Sequence, residues 1–187
     1  MRNKIHTFVI KLFLGSMAPI LWVSSATAGP VRAIADIQGC SDVNVQGTAK
    51  LKERFSDEGV KMVDITINVR GLSPGKHAVH IHETGACEPC GAAGGHFDPG
   101  PDSNPSPDGN HPFHSGDLVN IEVNAGGNGA LHTTTTRITL SPGPLSLFDA
   151  DGSSIIIHDF PDTYCPDGVE AGCAGGSRAA CGILRTK

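Results

Sequence analysis

The stretch VDITINVR, residues 63–70, alternates strictly between apolar and polar side chains. Because successive side chains of a β-strand point to opposite faces of a sheet, this period of two predicts a strand with one buried face. Seven further stretches have strand-like composition between turn residues. In chain order the eight candidates are residues 31–38, 46–54, 63–70, 77–82, 118–124, 131–140, 153–158 and 179–184. Eight short strands with polar connections, and almost no helical pattern, predict an all-β antiparallel barrel or sandwich.

Two connections are much longer than the others and contain no convincing strand. Residues 83–116 include six prolines, and residues 159–177 are rich in glycine and acidic side chains. Loops of this length are usually either functional or disordered. Both contain cysteines, the first contains histidines and the second directly follows His158. This favours loops that are fixed by disulfides and metal over disordered ones.

The N-terminus has the pattern of an export signal. Three basic residues, Arg2, Lys4 and Lys11, come before an apolar stretch at residues 12–23. The small-residue sequence Ala-Thr-Ala follows at residues 26–28. We therefore expect a signal peptide at residues 1–28 and a mature domain at residues 29–187. A membrane anchor is the alternative, but the apolar stretch is short for a bilayer. The expected location is extracytoplasmic, either periplasmic or secreted.

Removal of such a leader also changes the charge of the protein. It takes away three positive charges, so the formal net charge falls from −5 to −8 (−5 − 3). An excess of negative charge argues against a nucleic-acid partner. We also expect no membrane association after cleavage. The remaining length is that of one domain.

All six cysteines lie in the expected mature part, at positions 40, 87, 90, 165, 173 and 181. An even number of cysteines in an exported chain predicts disulfides, here up to three. A zinc site through Cys87 and Cys90 is the alternative, but the chain has no second cysteine pair at the same spacing. The sequence therefore favours disulfides.

Histidines are concentrated in a way that indicates a metal site. On a strand, His80 and His82 share one face, with Val79 and Ile81 on the other. Two such rings are about 7 Å apart along the chain, and can converge on one ion. The further candidate ligands are His96, His111, His114, Asp117 and His158. By contrast, His77 falls on the opposite face and is predicted to be a packing residue, and His132 in a threonine-rich strand is not expected to be a ligand.

The histidine motifs resemble those of the copper/zinc superoxide dismutase family. The matching strings are GKHAVHIHE at residues 75–83, GGHFDP at 94–99, HSGDL at 114–118, IIH at 156–158 and GSRAACG at 176–182. These strings occur in the order of the family. The resemblance as a whole extends from residue 31 almost to the C-terminus. The resemblance implies an eight-stranded antiparallel Greek-key β-barrel with two long functional loops.

The resemblance also implies a ligand set. His80, His82, His96 and His158 correspond to the copper ligands, and His96 to the histidine that bridges copper and zinc. His114 and Asp117 correspond to zinc ligands, and Asp162 to a carboxylate that joins the two ligand shells.

One zinc ligand departs from the family pattern. The family has a histidine eight residues after the bridging one, and that position is Asn104 here. His111 is the remaining candidate for the missing ligand. A weakened zinc site and a copper-only protein are the alternatives.

Arg178 corresponds to the active-site arginine of the family, which would attract and orient a small anion. A surface ion pair is the alternative for this residue. The resemblance further implies a disulfide between Cys87 and Cys181. Cys165 with Cys173, and Cys40 with Cys90, are then the leftover pairs, and the sequence does not fix their connectivity.

The expected function is that of an exported superoxide dismutase with catalytic copper and structural zinc. Its substrate would be superoxide, which it converts to dioxygen and hydrogen peroxide through Cu(II)/Cu(I) cycling, with His96 as a proton donor. A homodimer is possible. The alternatives are a non-catalytic extracytoplasmic copper- or zinc-binding protein and, with less support, a copper chaperone, since the chain shows no separate thiolate module.

Overall fold

The computed structural model describes residues 31–42, 44–100 and 103–187, so the expected signal peptide lies outside the described residues. Ten β-strands and one short 3-10 helix, Cys90–Ala93, make up the regular structure of this part. The strands are β1 (Arg32–Gly39), β2 (Gln46–Phe55), β3 (Lys61–Arg70), β4 (Gly75–His77), β5 (Val79–His82), β6 (Ile121–Val123), β7 (Asn128–Thr135), β8 (Ser154–His158), β9 (Arg178–Ile183) and β10 (Arg185–Thr186). Among the described residues, no helix is long and apolar enough to cross a membrane.

The strands form one antiparallel sheet that nearly closes into a barrel. Their order is β4-β6-β7-β3-β2-β1-β9-β8-β5, with β10 added beside β1. The two edge strands, β4 and β5, are separated along the chain by Ala78 alone. The chain therefore passes directly from one edge of the sheet to the other, which brings the edges together. With β4 and β5 counted as one interrupted strand and β10 set aside, the barrel has the eight strands expected from the sequence, and the all-β prediction is confirmed.

The core lies inside the barrel and follows the alternation that the sequence shows. In β3, Val63, Ile65, Ile67 and Val69 are buried, while the side chains between them are more exposed. The inward residues of the other strands join them in one continuous apolar cluster. Burial of such side chains contributes about 1.5–3 kcal/mol each, so the barrel is a rigid scaffold for the loops it carries.

Three predicted strands have different boundaries in the structure. The predicted strand 77–82 is interrupted at Ala78, whose N–H donates to the carbonyl oxygen of Phe160 (2.9 Å). The predicted strand 131–140 is replaced by β7, which starts at Asn128 and ends at Thr135. Beyond its end, the Glu53 carboxylate accepts the N–H groups of Leu140 (2.6 Å) and Ser141 (2.9 Å). The predicted strand 118–124 is reduced to β6, since the preceding residue Asp117 pairs with His80 instead.

Two disulfides join the first long loop to the barrel, and a third closes a ring inside the second long loop. Cys87–Cys181 joins the first long loop, residues 83–116, to β9, and it is the pairing that the family resemblance implies. Cys40–Cys90 joins the end of β1 to the 3-10 helix, and Cys165–Cys173 closes a short ring inside the second long loop, residues 159–177. Both long loops are thus ordered by covalent links, with little regular secondary structure of their own.

Candidate metal centre

Strand β5 places two histidines on the outer face of the barrel wall. All four of its residues are buried, and Val79 and Ile81 pack into the barrel core. Because side chains alternate along a strand, His80 and His82 point to the opposite face. Both rings are fully buried, so the two long loops must cover that face. The alternation of apolar residues and histidines along β5 therefore places both imidazole rings on the same outer face, close to one another.

Two more histidines reach the same point from β8 and from the first long loop. His158 ends β8, where a register shift between Ile157 and His158 re-aims the backbone. His96 forms an isolated bridge with His82. The ring centroids of His80 and His96 are 4.1 Å apart, and those of His80 and His158 are 4.9 Å apart. His80, His82, His96 and His158 each offer a nitrogen within 4.8 Å of the others, and we call them the first cluster.

The outer ring nitrogens of the first cluster are occupied by hydrogen-bond partners. His82 Nδ1 contacts the carbonyl oxygen of Gly94 (3.0 Å), and His158 Nδ1 contacts that of Gly176 (2.9 Å). His80 Nε2 contacts Asp162 Oδ2 (3.1 Å). These contacts set the ring orientations and leave the other nitrogens, including His80 Nδ1 and His158 Nε2 (3.2 Å apart), to face one another.

A second cluster adjoins the first and shares His96 with it. His96 Nδ1 lies 2.7 Å from Asp117 Oδ1 and 3.3 Å from His114 Nδ1. His114 Nδ1 lies 3.0 Å from Asp117 Oδ2, and His111 Nδ1 lies 3.1 Å from the same oxygen as an ion pair without hydrogen-bond alignment. We call His96, His111, His114 and Asp117 the second cluster. A tetrahedron with ~2.0 Å bonds separates its ligand atoms by about 3.3 Å, which is close to these spacings. His96, His111 and Asp117, together with His80, each offer a ligand atom within 4.8 Å of the others, whereas His114 joins the cluster through its contacts with His96 and Asp117.

The structure brings His111, not Asn104, to the second cluster. Asn104 is exposed, and its backbone N–H donates to Asp98 Oδ2 (3.1 Å). His111 is buried, and Asn110 before it adopts a positive φ of 65° that turns the chain inward. A histidine from further along the same loop therefore lies in the second cluster, where residue 104 does not reach.

Asp162 links the two clusters directly. Its Oδ2 atom lies 3.1 Å from His80 Nε2 and 2.7 Å from His111 Nε2. Asn120 holds this aspartate by donating to its carbonyl oxygen (2.9 Å) and accepting its N–H (2.8 Å). A shift of one cluster is thus transmitted to the other through a single carboxylate.

Arg178 lies at the start of β9, next to the first cluster. It pairs with His158 in the β8–β9 ladder. One guanidinium nitrogen donates to the carbonyl oxygen of Cys90 (2.5 Å), and the other donates to that of Gly94. Neither contact is to a carboxylate, so the positive charge is held in place without being neutralised. The surface ion pair considered from the sequence is not formed.

Comparison with known proteins agrees with this geometry. A sequence model of the family "Copper/zinc superoxide dismutase (SODC)" matches residues 45–184. This chain belongs to the copper/zinc superoxide dismutase family. It is therefore an oxidoreductase of the superoxide dismutase type, and copper and zinc are the metals of its family.

Individual relatives cover most of the chain. It is 39% identical over 135 residues to "Superoxide dismutase [Cu-Zn]" of Deinococcus radiodurans, over 65% of this chain and 69% of that protein. It is 35% identical over 172 residues to "Superoxide dismutase [Cu-Zn] 2" of Aquifex aeolicus, over 89% of this chain and 94% of that protein. The solved structure of the clock protein EA4 is similar with a TM-score of 0.63 and 26% identity, over 84% of this chain and 95% of that one.

The first cluster has the donor set that a copper/zinc superoxide dismutase needs for copper. It consists of imidazoles alone, which suit copper in both oxidation states. His82 Nε2 and His96 Nε2 are buried and have no hydrogen-bond partner. A buried polar atom without a partner costs about 1–3 kcal/mol, and a metal bond would remove that cost. The residues therefore fit copper.

Burial keeps the first cluster neutral and ready to bind a metal. It lowers the pKa of His80 to about 3 and that of His158 to about 4. Burial also lowers the pKa of His82 and His96, and neighbouring charges add to the effect at His82. Metal ligands are unprotonated imidazoles, so at neutral pH no proton competes for these positions.

The second cluster behaves in the opposite way, because its carboxylates attract positive charge. Burial lowers the pKa of His111, but Asp117 and Asp162 outweigh it and raise the pKa to about 9. Asp117 likewise raises the pKa of His114 against the effect of burial, and hydrogen bonds from the histidines lower the pKa of Asp117 and Asp162. The site favours a positive charge, and a divalent ion such as zinc supplies it without protons.

Of the histidines in the described part of the chain, two lie outside both clusters. His77 is buried, and its ring nitrogens contact the carbonyl oxygens of His158 (2.7 Å) and Ser73 (2.8 Å). His132 contacts Thr66 on the barrel surface (3.0 Å).

The sequence analysis missed residues that support the clusters through the backbone. Asn120 holds Asp162, and Arg137 donates to the carbonyl oxygens of Asp117 and Pro112. The partners of these side chains are main-chain atoms, which every residue has. A pattern of residue types therefore cannot predict these contacts.

Proposed function

We propose that this protein disproportionates superoxide at a copper ion held by His80, His82, His96 and His158. The structural zinc ion is held by His96, His111, His114 and Asp117. The observation that carries the proposal is the shared position of His96, with Nδ1 in the second cluster and Nε2 free in the first. Two separate metal sites would not need a common imidazole between them.

The chemistry of the reaction divides between the metal and the protein. Copper supplies reversible one-electron transfer between Cu(II) and Cu(I). Two superoxide ions and two protons give one dioxygen and one hydrogen peroxide, so one superoxide loses an electron and the other gains it. The protein provides ligands, access and protons.

His96 is the residue we assign to proton delivery. Among the described residues its Nε2 atom has no partner and is directed into the first cluster. This nitrogen would carry a proton only while it is not bonded to copper, and it could then pass that proton to the reduced oxygen species. Its Nδ1 atom is fixed by the second cluster, which keeps the ring from turning. The second cluster thus supports the catalytic site by orientation, without redox chemistry of its own.

Arg178 is the residue we assign to anion binding. Its charge is fixed by two carbonyl oxygens and is not paired with a carboxylate. Fixed donors in a partly buried site attract and orient an anion more strongly than mobile surface charges do. A small monoanion such as superoxide is the ligand that suits a single guanidinium beside a metal.

The alternative is a non-catalytic protein that binds copper or zinc. Such a protein needs the histidines but has no use for an anion-binding arginine. The fixed guanidinium beside the first cluster therefore favours the enzyme.

We also propose that the chain is exported and that its signal peptide is removed after residue 28. Three disulfides support an oxidising compartment, periplasmic or extracellular. N-terminal sequencing of protein secreted by the native host is expected to begin at Gly29. An intact N-terminus would contradict export by cleavage.

The function is tested by metal analysis and a dismutation assay on matched variants. His158→Ala is expected to lose most of its copper and activity while it keeps zinc. His111→Ala is expected to lose zinc, and His132→Ala, a surface histidine outside both clusters, serves as the control. Full activity in His158→Ala would contradict the copper site, and unchanged zinc in His111→Ala would contradict the zinc ligand.

A further inference from the structure

We infer that the Cys40–Cys90 disulfide is a positioning element for the guanidinium of Arg178, in addition to joining β1 to the first long loop. The inference rests on the proposed role of Arg178 in binding superoxide. It concerns a different disulfide from Cys87–Cys181, which is the pairing that the family resemblance implies.

The two carbonyl groups that hold Arg178 lie at the two ends of the same short helix. Cys90 begins the 3-10 helix Cys90–Ala93, and Gly94 is its C-cap. The guanidinium donates to the carbonyl oxygens of both residues. The position of the guanidinium is therefore set by the position of this helix.

The Gly94 end of the helix is already fixed by other contacts. Its carbonyl oxygen also accepts from His82 Nδ1 (3.0 Å), and the next N–H, of Gly95, donates to Glu83 Oε1 (2.7 Å). At the Cys90 end, the disulfide to Cys40 is the only covalent link of Cys90 itself, whose side chain otherwise packs against Ile156 and Cys181. The Cys87–Cys181 disulfide lies three residues earlier and does not involve the helix. Loss of the link to Cys40 is expected to release the Cys90 end while the Gly94 end stays in place.

Cys40 ties the Cys90 end to the strand that carries Arg178. Its backbone N–H donates to the carbonyl oxygen of Ala179 (2.8 Å), next to the arginine. The adjacent pair Gly39 and Ala180 continues the β1–β9 ladder. Main-chain pairing, the disulfide and the arginine–carbonyl contact thus form a closed ring through Cys40, Cys90 and Arg178. Opening any one of the three allows the guanidinium to move relative to the first cluster.

The test is a mutant cycle between the disulfide and the arginine. The variants are the pair Cys40→Ser with Cys90→Ser, the single Arg178→Ala, and all three together. The measurements, per bound copper, are kcat/KM for superoxide at low salt and the Kd of azide, a small anion that binds copper, from visible absorption. Copper and zinc contents are measured for each variant, so that metal loss is not mistaken for an effect on the arginine.

We expect opening of the disulfide to lower kcat/KM by about threefold to tenfold and to weaken azide binding, less than the ~100-fold cost of losing a direct electrostatic contact. In the Arg178→Ala background, the same opening is expected to have no further effect, because there is no guanidinium left to position. Cys165→Ser with Cys173→Ser is the control, since this disulfide has no contact with Arg178 or with the helix.

Two results would overturn the inference. One is that kcat/KM and azide affinity stay at the wild-type level after the Cys40–Cys90 disulfide is opened. The other is that opening the disulfide lowers both quantities equally with and without Arg178. If the serine pair does not accumulate as folded protein, Cys40→Ala with Cys90→Ala provides the same comparison in a less polar form. Arg178→Lys then gives a further check, because one ammonium group cannot hold both carbonyl oxygens and is expected to reproduce the loss of azide affinity. Wild-type activity in Arg178→Ala would contradict the proposed function of the arginine itself, a distinct failure.

Discussion

At the residue scale, a single carboxylate connects the copper and zinc sites. Asp162 contacts His80 Nε2 and His111 Nε2 and is held by Asn120. Partners of this kind fix the orientation of metal-bound imidazoles. Besides the shared His96, Asp162 is therefore a position at which one substitution is expected to affect both clusters.

We predict that Asp162→Asn weakens zinc binding by about 10- to 100-fold, which is typical when a ligand loses its outer partner. The measurement is a chelator competition that gives the Kd of zinc. Asp167→Asn, an exposed acid in the same loop, is the matched control. Unchanged zinc affinity in Asp162→Asn would show that the contact to His111 has no role in holding the site.

Residue identity predicted some of this site and missed the rest for physical reasons. The shared face of His80 and His82 follows from strand geometry alone. The delivery of His111 in place of Asn104 depends on the path of a proline-rich loop, which no local rule determines. The partners of Arg178 are backbone oxygens, which every residue has, so the sequence cannot identify them.

At the element scale, the long connection between β7 and β8 is fixed to β2 by one buried acid. Glu53 is 5% exposed, and its Oε2 atom accepts the N–H groups of Leu140 and Ser141. Burial raises the pKa of Glu53, but hydrogen bonds from Ser141 and Leu140, together with the charge of Lys61, outweigh it and lower the pKa. Residues 140 and 141 therefore pair with this carboxylate and not with a neighbouring strand, which alternation alone could not show.

We predict that Glu53→Gln lowers the free energy of unfolding by about 1 kcal/mol at neutral pH, since a hydrogen bond to a charged acceptor becomes a neutral one. The folded pKa lies below the unfolded value, so the contribution of the charge is present above the ordinary pKa of 4.5 and is lost as the pH falls through the lowered value. Denaturant unfolding between about pH 3 and pH 7 measures the difference between the two proteins. The difference in unfolding free energy between wild type and Glu53→Gln should shrink as the pH falls. A difference that stays constant or grows at acidic pH would contradict this explanation.

At the scale of the whole molecule, the surface near the metal centre is acidic. The second long loop carries Asp159, Asp167 and Glu170 on its exposed surface, and no lysine lies between residues 159 and 177. Relatives with lysines here would attract superoxide from a distance, whereas the second long loop of this chain has no lysine. Arg178 acts at short range because salt screens charges beyond about 8–10 Å.

We predict that kcat/KM changes by less than about twofold between 10 mM and 200 mM salt, in contrast to electrostatically steered enzymes. Asp167→Lys with Glu170→Lys is expected to raise the rate at low salt and to introduce a salt dependence. Stopped-flow dismutation assays measure both. A steep fall of the wild-type rate with added salt would rule out weak steering.

Metal binding is also expected to stabilise the whole barrel, because the proposed ligands come from β5, β8, the first long loop and the residue that follows it. A metal at 1,000 times its Kd contributes about 4 kcal/mol, which corresponds to about 8–16 °C in the melting temperature for a chain of this size. Calorimetry before and after chelation measures the shift, and re-addition of zinc alone separates the two sites. An unchanged melting temperature after complete metal removal would contradict this coupling.

The overall architecture was more accessible to sequence reasoning than the strand boundaries were. Alternation in residues 63–70 and the apolar runs of the other strands indicated the barrel, because burial of one face is a local property. The breaks at Ala78 and near residue 118 were not accessible, since contacts to Phe160 and His80 from distant parts of the chain cause them.

The most direct measurement is anomalous diffraction at the copper and zinc absorption edges from crystals of the metal-loaded protein. The account predicts a copper peak among His80, His82, His96 and His158, and a zinc peak among His96, His111, His114 and Asp117, with the His96 ring between them. Copper bound elsewhere, or no copper in protein that retains full dismutase activity, would contradict it.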